Sequence, residues 1–228
     1  MTDDDSVDWE KLNEEAKSTY EPPYIPAFSE TRVIGNTAKE IVRTLLSGSE
    51  YLVYPFGYES YFTGIKDLVH QGKFDDTPTP KVVKKIRSMP DLVVIDEEIE
   101  QIDLVEVKFR NEVPTDISLK PKIVKRYEKC WPESTLVCVT PYKNPENECN
   151  YHFYFCKINE IREKARDTSY WPEEDDDYEG IVDVEFTESD RLEHCFPNLS
   201  KSKYKENLEK MGKFVRNILK DWSEKLKK

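Results

Sequence analysis

Pro90-Asp91-Leu92-Val93-Val94-Ile95 and Ile102-Asp103-Leu104-Val105-Glu106-Val107-Lys108-Phe109 are two apolar runs joined by a connector, residues 96–101, that is polar except for Ile99. Short apolar runs flanking a polar connector predict a β-hairpin. If the hairpin is symmetric about the Glu98–Ile99 bond, opposing residue numbers add to 197 and Asp91 lies opposite Glu106. Strand side chains alternate faces. Glu106 and Lys108 therefore share one face, while Val105, Val107 and Phe109 point the other way. Two carboxylates and an ammonium meet at one end of an otherwise oily hairpin.

Charges beside a buried sheet are costly unless they pair or bind a metal. Two readings follow. In the first, Asp91, Lys108 and Glu106 form a salt-bridge cluster at a strand end. In the second, Asp91 and Glu106 hold a hard divalent cation such as Mg²⁺ or Mn²⁺, with the backbone carbonyl of Val107 as a further oxygen ligand. A lysine beside such an ion can orient an attacking water.

Pro90-Asp91, a short spacer and then Glu106-Val107-Lys108 resemble the signature of the PD-(D/E)xK nucleases. That superfamily includes archaeal Holliday-junction resolvases, RecB-type nucleases and restriction enzymes. Phe109-Arg110 after the lysine is also similar to the family, where a basic residue often follows. The flanks extend the resemblance over about residues 33–140. Residues 35–46 predict a helix, with Asn36 or Thr37 as its N-cap and Ile41, Val42 and Leu45 as its apolar stripe. Glu40 borders that stripe. Residues 51–56 predict the first strand, residues 119–129 a basic helix, and residues 134–139 a further strand. The order is that of the family's αβββαβ core.

The resemblance implies an α/β fold of restriction-endonuclease-like type: a central mixed β-sheet flanked by helices. It implies a Mg²⁺- or Mn²⁺-dependent deoxyribonuclease that hydrolyses DNA phosphodiester bonds, with DNA, branched or single-stranded, as partner. Asp91, Glu106 and Glu40 would be catalytic metal ligands, with Lys108 orienting water. Arg110, Lys122, Lys125, Arg126 and Tyr127 would contact the nucleic acid. Two departures stand out. The family's helix after Glu-x-Lys often carries a glutamine, which is absent here, and residues 58–89 are long for a link between first strand and hairpin. A non-catalytic nucleic-acid-binding or assembly module on the same fold is the alternative, favoured by surface acidity and the long terminal helix and disfavoured by the intact metal residues.

The rest of the chain bounds these expectations. With 228 residues it suits a single domain: an acidic, Pro-containing arm over 1–30, a core over 31–160, and an extension over 161–228 packed on that core. The formal charge of −12 disfavours a generic DNA-coating protein. Basic residues nonetheless concentrate at 81–87, 108–126 and in the C-terminal helix, and a local basic groove can hold phosphates. No apolar stretch approaches ~20 residues, so no membrane span is expected. Five cysteines without paired short spacing suit free thiols in the cytoplasm. The three histidines lack metal-ligand spacing, and seven glycines form no phosphate loop, so no nucleotide cofactor is expected. Glu59 and Asp67 are either further acids for the site or loop and edge residues, the latter being the preferred reading for Asp67. The aromatic strand at 150–156 suits core packing or base stacking. Residues 158–166 read as helix, 171–179 as an acidic loop, and 181–186 as a strand. Residues 204–226 predict a long amphipathic helix that packs on the core or makes a homodimer.

Overall fold

The computed structural model describes residues 30–57, 85–86, 88–142, 152–166 and 180–225. The anticipated arm, Glu59, Asp67, most of the basic segment at 81–87 and the acidic loop at 171–179 lie outside these residues.

The protein is α/β, with a mixed five-stranded sheet in the order β1-β2-β3-β5-β6. The strands are β1 (Leu52–Pro55), β2 (Leu92–Asp96), β3 (Gln101–Phe109), β5 (Thr135–Val139) and β6 (Phe153–Lys157). β1, β2 and β3 form an antiparallel meander, β5 runs parallel to β3, and β6 is antiparallel to β5. The parallel step needs a crossover, supplied by helix α2 (Pro121–Cys130). Two short strands missing from that sheet, β4 (Ile117–Leu119) and β7 (Val182–Val184), pair with each other as a separate ribbon.

The hairpin register agrees with its symmetry. Leu92 faces Val105 and Ile95 faces Ile102, so opposing numbers add to 197. The turn spans the four residues between Asp96 and Gln101, which pair directly. Asp96 Oδ1 accepts a hydrogen bond from the Glu98 N–H at 3.0 Å. Glu100 takes φ 53°, in the left-handed region that reverses the chain.

Helix α1 (Glu30–Ser47) begins earlier than the capping pattern predicts. Asn36 and Thr37 are interior residues, and Thr37 Oγ1 donates to the Val33 carbonyl one turn back at 2.8 Å. Residues 30–34 extend the helix because Ile34 continues the apolar stripe. Ile34, Ala38, Ile41, Val42, Leu45 and Leu46 are all buried at helical spacing. α2 likewise starts two residues later than expected, because Leu119 is held in β4. Pro121 then opens the helix, where its missing N–H costs nothing.

The sheet separates two apolar clusters. One joins the α1 stripe to Leu92, Val94, Val105, Val107, Val137, Val139 and Phe153. The other joins Leu136, Cys138, Tyr154 and Cys156 to Val124 and Tyr127 of α2 and to the β4–β7 ribbon. The aromatic strand β6 is thus core: Phe153 fills one cluster and Tyr154 the other. The helix at Ser202–Phe214 continues through a π turn, Val215–Leu219, into Lys220–Lys225. Val215 and Leu219 are fully buried in the α1 cluster, with Leu208 and Met211 against it. That face of the helix packs on the core, while Trp222 stays 41% exposed. No helix among the described residues is long and apolar enough to cross a membrane.

Candidate active site

Asp91 immediately precedes β2, one pair beyond Leu92–Val105, and so comes level with Glu106. Its backbone carbonyl is fixed by β1: the N–H groups of Phe56 and Gly57 donate to it at 2.8 and 3.3 Å. Its carboxylate leans across the hairpin. Oδ2 accepts the Val107 N–H at 2.9 Å. Oδ1 is 2.7 Å from the Lys39 ammonium of α1. Both oxygens of Asp91 are therefore engaged, one by β3 and one by a helix residue more than fifty positions away in sequence.

Glu106 points to the α2 side of the sheet, as alternation requires, and is 3% exposed. Lys108, two residues on and on the same face, donates to its Oε1. The other oxygen, Oε2, is buried without a hydrogen bond of normal geometry among the described residues. The Tyr127 hydroxyl faces the same carboxylate from α2. Burial pushes the Glu106 carboxyl above its ordinary range. Lys108 works against that shift and Asp91 adds to it. For Lys108, burial disfavours the ammonium, but the Glu106 and Asp91 carboxylates outweigh this and hold its pKa above the usual lysine value. The Tyr127 hydroxyl is pushed far up, first by burial and then by the negative charge of Glu106.

Glu106 and Lys108 are in contact, and Asp91, one register step beyond Leu92–Val105, lies within electrostatic reach of both. The structure does not bring Glu40 in by the same route. Glu40 lies on the outer side of α1, 60% exposed, in an ion pair with Arg43 at 2.7 Å. α1 instead touches the site through its neighbour Lys39, a residue sequence reasoning missed. Successive helical residues point about 100° apart, and only docking of the helix decides which one faces the sheet. The local signal was present, because Lys39 lies three residues before buried Val42 and seven before buried Leu46.

The expected nucleic-acid contacts also sort by environment. The Arg110 guanidinium turns back on the chain, donating to the carbonyls of Ser118 and Phe109 at 2.9 Å each. Tyr127 is 8% exposed and serves Glu106 from within, which removes it from the contact surface. Lys122, Lys125 and Arg126 are half-buried on α2. A narrow recess of about 20 Å³, room for about one water molecule, opens between Glu106, Lys108, Arg110, Lys120 and Tyr127.

Among the described residues, no group of three or more His, Cys, Asp or Glu side chains gathers to hold a metal. Among the described residues the acids at the site number two, Asp91 and Glu106. Their donor set still suits a hard cation: carboxylate oxygens throughout, and one of them, Glu106 Oε2, buried without a hydrogen bond of normal geometry among the described residues. Sequence comparison adds nothing to the geometry: no family model matches the chain, and no curated protein matches it.

Proposed function

We propose that this protein is a Mg²⁺- or Mn²⁺-dependent nuclease of restriction-endonuclease-like type, acting on DNA through Asp91, Glu106 and Lys108. The observation that carries this reading is the Glu106 carboxylate. It is buried, level with a second acid, beside a lysine two residues away, and its Oε2 makes no hydrogen bond of normal geometry among the described residues, with the Tyr127 hydroxyl facing the carboxylate. A buried, incompletely paired carboxylate is costly, and such a cost is characteristic of a site kept for binding or chemistry.

Asp91, Glu106 and the Val107 carbonyl would hold the cation, which supplies Lewis-acid polarisation of the phosphate. Lys108 orients the attacking water and offsets negative charge on phosphorus-bound oxygens. Tyr127 keeps the Glu106 side chain aimed along its recess. Lys122, Lys125 and Arg126, half-buried on α2, would steady the sugar-phosphate backbone.

A second reading has its own observation: every acid of the site already has an ammonium partner, Lys39 on Asp91 and Lys108 on Glu106. A charge-balanced cluster suits a nucleic-acid-binding or assembly module without cation chemistry, acting as a monomer or homodimer inside the cell. Titration of the intact chain with Mn²⁺ separates the two. The nuclease reading expects saturable binding that Glu106→Ala removes. It also expects metal-dependent cleavage across linear, branched and single-stranded DNAs that both Glu106→Ala and Lys108→Ala abolish while staying folded. Full cleavage by either variant refutes it.

A further inference from the structure

Asp91 and Glu106 are not equivalent. Glu106 Oε2 makes no hydrogen bond of normal geometry among the described residues, whereas both oxygens of Asp91 are taken. The Val107 N–H that holds Oδ2 belongs to the strand backbone and cannot leave without opening the hairpin. The Lys39 ammonium on Oδ1 sits at the end of a flexible four-carbon stem and is 31% exposed. It is the removable partner. A divalent cation sharing Oδ1 would lie within a few ångströms of that ammonium, and like charges so close repel strongly.

We propose that Lys39 is a positioning residue that couples cation binding to substrate binding. This rests on the cation reading of the site given above. In the substrate-free protein Lys39 neutralises Asp91 and weakens the cation site. A phosphate group arriving at the sheet end offers the ammonium another anion, draws it off Oδ1, and frees that oxygen for the cation. Binding of cation and of phosphodiester then strengthen each other, and by linkage each must raise the affinity of the other by the same factor. The position also suits a phosphate contact. Lys39 borders the buried stripe of α1 without belonging to it, so its side chain reaches the surface from the edge of the helix while the helix stays anchored by Ala38 and Val42, both fully buried.

The test is calorimetric titration of Mn²⁺ into the full chain as wild type, Lys39→Met, Lys39→Gln, Lys39→Arg and Glu106→Gln, with circular dichroism to show that each is folded. Removing the competing ammonium should tighten Mn²⁺ binding by about fivefold or more in Lys39→Met and Lys39→Gln. Lys39→Arg should behave as wild type, and Glu106→Gln should not bind. Repeated with Ca²⁺ and a saturating short DNA duplex, the titration should show tighter cation binding in wild type and little change in Lys39→Met. Equal Mn²⁺ affinity in wild type and both neutral variants would overturn the role of Lys39 and leave the cation site standing. A duplex that changes wild type and Lys39→Met alike, or neither, would overturn the coupling. Absence of saturable Mn²⁺ binding in wild type and neutral variants, or unchanged binding in Glu106→Gln, would remove the cation site itself.

Discussion

Replacing Lys108 by Met removes the ammonium from Glu106 while keeping a stem of similar length in the same space. Glu106 is 3% exposed. Removing one partner of a buried ion pair commonly costs about 3–5 kcal/mol, because the remaining charge is left uncompensated. A carboxylate has an escape, since it can take a proton. The cost of keeping Glu106 protonated at pH 7, measured from its ordinary value of 4.5, is about 3.4 kcal/mol at ~1.36 kcal/mol per unit. That figure caps the loss from the stranded charge at neutral pH. The sign follows from linkage. A carboxyl whose folded pKa is raised contributes fully below its unfolded value and loses that contribution as pH rises through the folded value. The Lys108→Met deficit should therefore shrink to at most about 0.8 kcal/mol at pH 5 and grow steadily towards pH 7. Urea unfolding in chelator at pH 5, 6, 7 and 8 measures it. Lys108→Met/Glu106→Gln, which has no buried charge to strand, should recover most of the loss at pH 7. A deficit independent of pH, or a double variant no better than the single one, would refute the assignment of Glu106 as a buried, reluctantly charged group.

Three further outcomes follow from other parts of the fold. Asp103→Asn strands Lys157, whose ammonium bonds Asp103 at 3.0 Å and Thr135 Oγ1 at 2.8 Å. Because Lys157 is 31% exposed, the loss should be modest, about 1–2 kcal/mol by denaturant unfolding, and Mn²⁺ affinity should be unchanged. Burial pushes the Cys138 and Cys156 thiols up to about 12, so neither should label with a thiol reagent at pH 8 until the protein unfolds, as peptide mapping would show. Glu100→Gly relieves the φ of 53° at the hairpin turn and should leave stability equal or raised by up to about 1 kcal/mol in thermal melts. A clear drop in Tm would mean that the Glu100 side chain does more than occupy a turn.

The site was legible to the extent that it depends on neighbours along the chain. Alternation placed Glu106 and Lys108 on one face, and hairpin symmetry brought Asp91 level with Glu106. Both are geometric consequences of strand pairing, which needs only residues 91–108. Glu40 and Tyr127 show where that reach ends. Either Lys39 or Glu40 was compatible with the apolar stripe of α1, because both flank it. Tyr127 sat among basic residues at 122–126 that suggested a surface for phosphates, yet it turned inward because α2 lies against the Glu106 side of the sheet. The β4–β7 ribbon was half visible: Val182–Val184 alternates as a strand should, while three residues at Ile117–Leu119 are too few to show a period.

What residues 90–109 determined unaided was a hairpin, its register, and three charged groups at its open end, because backbone pairing and the two-residue repeat act over short distances in the chain. Tertiary structure alone decided which groups besides Lys108 attend those charges. The partner of Asp91 comes from α1 and the companion of Glu106 from α2. Neither choice is encoded by spacing, because each depends on the rotation at which a helix settles on the sheet, and that rotation is set by the summed packing of its whole apolar face.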